Sequence, residues 1–202
     1  VSMDYWDGAS LKKSRKVPES DFEKIVANMR AYAARDTKCE LGVSFIVTKD
    51  DHEHLFDFCR LMKEIGVDHV KLSGCVVSVD GKGNNAYHAA IKDEVGRQIR
   101  LALELNDERF KVVDHYHELE ERFDKPYSTC PYLQFLTVIG ADCKVYTCQD
   151  KAYTEKGTLG SIKDRSFKDF WFSEENARAM GVIDPSRDCR HHCVAHTKNL
   201  ML

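Results

Sequence analysis

The chain has 202 residues, 43% of them hydrophobic, which is enough to bury a core and argues against disorder. Its net charge of −3 argues against nonspecific nucleic-acid binding, and with no apolar run of spanning length and no secretory leader it reads as a soluble, cytoplasmic protein without a nucleic-acid or membrane partner. The opening residues, 1–5, read as the interior of a short strand, so the sequence is expected to be a piece of a longer chain. A polar loop with Lys12, Lys13, Arg15 and Lys16 follows. Pro18 and Glu19 lead into a helix with Ser20 as N-cap and Glu23 closing a capping box, its apolar stripe being Phe22, Ile25, Val26, Met29 and Ala33. Residues 41–48 are apolar and β-branched almost throughout, as in a buried parallel strand. Asp50 and Asp51 offer N-caps for a second helix with stripe Leu55, Phe58, Cys59, Met62 and Ile65, stopped at Gly66. Residues 67–73 form a third strand. A glycine-rich loop over 81–85 then leads into a helix over 87–105, giving successive βα units with right-handed crossovers.

After Asn106 the pattern changes to short strands, turns and cysteines. Residues 135–139 and 144–147 read as a β-hairpin about Gly140-Ala141-Asp142, and 167–172 as a short aromatic helix. His115 and His117, one residue apart, would share a strand face as a possible metal pair or as a plain polar face. The expected organisation is residues 1–107 as one domain, 108–128 as a connector and 129–202 as a small second domain.

Eight cysteines are many for a reducing compartment, where stable disulfides are rare and crowding points to metal or redox chemistry. Five lie between positions 130 and 193. Cys130 precedes the hairpin, Cys148 ends it, and Cys189 and Cys193 flank Arg190-His191-His192. Four soft thiolates suit an iron–sulfur cluster or a structural zinc ion. None of the spacings is the tight C-x-x-C of a zinc ribbon, which favours the bulkier cluster. His191, His192 and His196 crowd the last two cysteines and are read as neighbours that tune the site, with ligation as the alternative. Cys59 is read as core packing, and Cys39 and Cys75 as incidental.

The stretches Thr137-Val-Ile-Gly-Ala-Asp-Cys-Lys-Val-Tyr-Thr-Cys148, Gly157-Thr-Leu-Gly-Ser-Ile162, Phe167-Lys-Asp-Phe-Trp171 and Cys189-Arg-His-His-Cys193 resemble the C-terminal extension of radical S-adenosylmethionine enzymes. Those extensions, the SPASM and twitch domains, hold auxiliary [4Fe–4S] clusters. Upstream, Val1-Ser-Met-Asp4, Gly42-Val-Ser-Phe-Ile-Val-Thr48 and Gly66-Val-Asp-His-Val-Lys-Leu-Ser73 are similar to the later βα units of that family's barrel. The resemblance implies an α/β fold, the later units of a partial (β/α)6 TIM-like barrel followed by a small β-hairpin-plus-helix iron–sulfur domain. It implies one auxiliary cluster on Cys130, Cys148, Cys189 and Cys193, with Cys143 a turn residue where such hairpins usually carry glycine. It also implies that Ser2, Asp4, Ser44, Thr48, Lys71 and Ser73 line a cavity for S-adenosylmethionine and substrate.

The family's defining C-x-x-x-C-x-x-C is absent from these residues and is expected upstream. There a second [4Fe–4S] cluster would reduce S-adenosylmethionine to a 5′-deoxyadenosyl radical that takes a hydrogen from substrate. The resemblance further implies an electron donor such as flavodoxin or ferredoxin. It leaves the substrate open among a peptide, a sugar and a small molecule. The alternatives are a zinc-stabilised module that binds a protein partner and a degenerate barrel serving as a scaffold.

Overall fold

The computed structural model describes every residue except 36, 79–80 and 119–121. The chain divides into two compact units, residues 1–77 with 84–119, and residues 78–83 with 120–202.

The first unit is a parallel three-stranded sheet with helices. In chain order it contains α1 (Gly8–Arg15), α2 (Ser20–Ala33), β1 (Gly42–Val47), α3 (Leu55–Ile65), β2 (His69–Gly74), α4 (Gly81–Ala89), α5 (Lys92–Leu103) and β3 (Lys111–Asp114), α4 starting just before residue 84. The strands lie in the order β1-β2-β3, all parallel, with Ser44 opposite Lys71 and Lys71 opposite Val113. Strand alternation divides this sheet into two unlike faces. Val43, Phe45, Val47, Val70, Leu72 and Val112 are buried in a core with Phe22, Phe58, Met62 and Ile99 from the helices. On the other face Ile46 and Val113 are each 38% exposed, Lys71 is exposed, and Ser44 and Ser73 are half-buried.

Several local expectations are corrected. Residues 1–5 make one parallel bridge, Ser2 to Ser44, rather than a strand. The ladder stops there because the Asp4 carboxylate accepts the Ile46 N–H at 3.3 Å, in place of a backbone carbonyl. The basic loop is helix α1. Asp7 accepts from the Ser10 N–H at 2.7 Å while the Ser10 hydroxyl accepts from the Asp7 N–H, a capping box, and Lys12, Lys13 and Arg15 fall in the last turn, where the helix dipole favours them.

Ser20 is not an N-cap. After Pro18 the chain is already helical at Glu19 (φ −57°, ψ −33°), so Ser20 sits inside α2 without a capping bond. Asp51 does not cap α3 either. Its carboxylate accepts from the Thr48 N–H (2.7 Å) and hydroxyl (2.6 Å), closing the turn that leaves β1, and α3 begins later, after His54. Gly66 does stop α3, in the left-handed region at φ 94°.

The expected glycine-rich loop is the first turn of α4, held by buried Asn84, whose Oδ1 accepts the Val77 N–H at 3.1 Å. The long helix over 87–105 is two helices, parted at Ala90–Ile91. His115 and His117 lie beyond the end of β3 in a turn, His117 bonded to Asp114 and His115 to Glu118 at 3.2 Å, so they form no strand-borne metal pair. β3 itself falls inside the stretch read from sequence as a connector.

The second unit holds a small antiparallel sheet, β4 (Val138–Ile139), β5 (Lys144–Tyr146) and β6 (Thr158–Ser161), in that order. Short helices follow: α6 (Phe167–Trp171), α7 (Glu174–Gly181), α8 (Pro185–Asp188) and α9 (His196–Met201). Ser166, Ser173 and Asp184 cap α6, α7 and α8 through their side chains. Val145, Leu159 and Phe170 form the core, packed by Ile162, Phe167, Trp171, Met180 and Ile183. The hairpin turns through Cys143, which is exposed at φ 59°. Phe123, Leu133 and Tyr146 are buried in this unit as well. Its cysteines lie outside the helices and strands.

Among the described residues no helix is long and apolar enough to cross a membrane.

Candidate metal centre

Each of the four cysteines singled out from the sequence sits at the mouth of a tight turn in the second unit. Cys130 opens the 3₁₀ turn Pro131–Gln134, its carbonyl accepting the Leu133 N–H at 3.1 Å. Cys148 leaves β5 and opens the 3₁₀ turn Gln149–Lys151. Cys189 caps the end of α8, its N–H donating to the Pro185 carbonyl at 3.1 Å. Cys193 is fixed by its N–H on the Arg122 carbonyl (3.0 Å) and accepts the His196 N–H on its own carbonyl (3.2 Å), at the entry to α9. Turns of this kind hold the Cα of a cysteine while leaving its sulfur free to point inward. All four half-buried cysteines line one cavity of about 40 Å³, several times the ~10–15 Å³ that one water needs.

Burial pushes the thiols of Cys130, Cys189 and Cys193 above the ordinary cysteine range. The groups that oppose burial differ from one cysteine to the next. At Cys130 the Asn199 amide favours the thiolate, at Cys189 the Lys151 ammonium does, and at Cys193 a backbone N–H and Lys125 do. Ionising three such sulfurs together in water-poor surroundings is costly without a cation among them. A bound metal deprotonates a coordinating thiol outright, so the donor set suits a thiophilic metal centre. All eight cysteines are free, so no disulfide competes for these sulfurs.

Lys125 supplies fixed positive charge at the cavity wall. It is 5% exposed, and its ammonium donates to the carbonyls of Arg122 (2.7 Å), Phe123 (2.7 Å) and His191 (2.5 Å). Three accepting carbonyls use all three N–H bonds of the protonated form. Desolvation lowers its pKa, opposed by the attraction of Cys193 and Cys189.

The histidines part company. His191 lines the cavity, its Nε2 3.9 Å from the Asp150 carboxylate, and burial pushes it down to about 4, which leaves it neutral near pH 7. Ligand atoms of Cys148, Asp150 and His191 lie within 4.8 Å of one another. His192, also pushed down to about 4 by burial, packs edge-on against the Phe123 ring. His196 is buried in α9, its Nδ1 3.2 Å from the Tyr127 hydroxyl. Cys143 lies out on the hairpin turn and is not part of the cavity wall. Cys59 is buried on the inner face of α3 with its thiol pushed up to about 12, a packing residue.

The strand-borne residues expected near a cofactor belong to the first unit. Ser2, Asp4, Ser44, Lys71 and Ser73 all lie on the open face of the sheet, since their neighbours Met3, Val43, Phe45, Val70 and Leu72 point into the core. Asp4 pairs with Arg15 at 2.8 Å, and Thr48, just past β1, is tied to Asp51. Asp4 and Thr48 share a cleft, of about 430 Å³, with Trp6, Arg15 and Asp51.

Sequence reasoning did not single out Lys125, Asp150 or Asn199. No spacing rule marks a lone lysine or asparagine. Asp150, two residues after Cys148 on a tight turn, carried the only usable signal.

Residues 130–194 match the family model of SPASM, an iron–sulfur cluster-binding domain. The match takes in all four cavity cysteines and supports the resemblance to the C-terminal portion of a SPASM-bearing radical S-adenosylmethionine enzyme. No curated protein matches the chain.

Proposed function

We propose that the SPASM-type segment binds one auxiliary [4Fe–4S] cluster through Cys130, Cys148, Cys189 and Cys193, as part of a radical S-adenosylmethionine enzyme. The observation that carries this reading is the convergence of four cysteines, from four separate turns of the matched segment, on one cavity. A cluster bound there would supply one-electron transfer. Four protein thiolates leave no iron position for substrate, which favours electron transfer over direct substrate ligation. Lys125 holds a cation beside the sulfurs, and Leu133 and Ile183 keep part of the wall apolar.

The open face of the parallel sheet is polar where it carries Ser2, Asp4, Ser44, Lys71 and Ser73, and the reading assigns this face to the lumen of a partial TIM-like barrel, with Thr48 at its rim. Parallel sheets are ordinarily covered on both faces, so a half-covered polar one suits a cavity wall. No C-x-x-x-C-x-x-C occurs in the 202 residues, and cleavage of S-adenosylmethionine is assigned to another part of the parent protein. We place the protein in the cytoplasm, with flavodoxin or ferredoxin as electron donor and a peptide, sugar or small molecule as substrate.

A second reading has its own support. Cys148, Asp150 and His191 form a compact sulfur, oxygen and nitrogen set that suits a single zinc ion. The two are separated by substituting each cysteine singly with alanine, reconstituting anaerobically and measuring iron. The cluster reading predicts that Cys130→Ala, Cys148→Ala, Cys189→Ala and Cys193→Ala each lose iron and visible charge-transfer absorption, while Cys143→Ala does not. Zinc retained by Cys130→Ala and Cys189→Ala but lost in His191→Ala would favour the single-ion site.

A further inference from the structure

Asn199 lies on α9, beyond the end of the matched segment, and is 6% exposed. Its Oδ1 accepts the Tyr132 backbone N–H at 3.0 Å. A backbone N–H can only donate, so this bond fixes which way round the amide sits. The Nδ2 is thereby turned to the Cys130 sulfur, 3.3 Å away. The helix that carries it is held against the Cys130 turn independently, because Lys198 donates to the Tyr132 hydroxyl at 2.9 Å and lies over the Tyr132 ring. An amide so constrained is preorganised to donate to sulfur, and it has no freedom to turn away when the charge on that sulfur changes.

We infer that Asn199 is a positioning residue that sets the reduction potential of the centre by donating an N–H···S hydrogen bond to Cys130. The inference rests on the cluster reading above. Adding an electron to an iron–sulfur cluster increases the negative charge on its sulfurs, so a fixed donor stabilises the reduced form more than the oxidised form and raises the potential. The assignment extends the functional unit past residue 194, to a helix that contributes no ligand.

The test is a potentiometric titration of the reconstituted 202-residue chain beside Asn199→Asp and Asn199→Ala, with iron and sulfide measured on each. Asn199→Asp keeps the oxygen that accepts from Tyr132 but replaces the donor with a carboxylate oxygen, so its midpoint should fall further than that of Asn199→Ala, which removes the donor without adding charge. Both variants should keep the iron of the parent chain, and Asn199→Ala should show a one-electron reduction constant about tenfold smaller, a midpoint about 59 mV more negative. Asn199→Gln, which can still present an N–H, should recover part of the shift. Unchanged midpoints at full iron content would overturn the inference and leave the cluster reading standing. A parent chain that takes up no iron would overturn both. If Asn199→Ala folds poorly, the uncharged Asn199→Leu, of nearly the same shape and without a donor, decides.

Discussion

At the residue scale, three side chains matter for reasons that residue type alone conceals. Lys125 holds three carbonyls from two distant stretches of the second unit, so Lys125→Met should cost about 1–3 kcal/mol by stranding buried acceptors, measured by chemical denaturation, with Lys125→Arg recovering part. Cys143 sits at φ 59°, where a side chain is strained and glycine is not. Cys143→Gly should therefore stabilise the hairpin by about 0.5–1 kcal/mol and leave iron content unchanged. A fall in iron would place Cys143 among the ligands. Asp107, in the first unit, accepts from the Lys63 ammonium at 2.7 Å and from the backbone N–H groups of Arg109 and Phe110, and is held down to about 2. Its folded pKa lies below the ~3.9 of an unfolded aspartate, so its contribution is full above pH ~4 and is lost as pH falls towards 2. A carboxyl titration followed by NMR should find this midpoint near 2, and Asp107→Asn should flatten the stability profile in that window. A midpoint near 4 would remove the claim.

At the scale of elements, what could be read from sequence followed the strength of the local pattern. β1, β2 and α3 announce themselves through long apolar periods and the stop at Gly66, and the structure holds all three close to their expected limits. The hairpin was legible from its turn residues. α1 was missed because its capping residues, Asp7 and Ser10, lie outside the Ser/Thr-to-Glu form, and its basic content resembles a solvated loop. α4 was missed because Gly81 and Gly83 disfavour helix locally, and packing of the buried Asn84 overrides that preference. β3 has only four residues, too few for a period to show. Asp7→Ala removes the α1 capping box and should cost about 1 kcal/mol in a denaturant series, whereas Ser20→Ala, which loses no cap, should cost much less. Equal losses would contradict the assignment of the caps.

At the scale of the whole chain, a parallel sheet with one buried apolar face and one open face is joined in sequence to a small domain of short strands, short helices and turns. The four cysteines could be chosen from residue type and family resemblance, because metal chemistry restricts ligands to few residue types. Much of the remaining cavity wall could not, because Lys125, Tyr127 and Asn199 are ordinary residues until folding places them. Small domains of this kind commonly draw folding free energy from a metal. The most direct measurement is native mass spectrometry of the anaerobically reconstituted chain, with iron and acid-labile sulfide determined on the same sample. One added mass of four irons and four sulfides per chain is expected, lost on removing any of Cys130, Cys148, Cys189 or Cys193. A single bound zinc ion with no sulfide would contradict it.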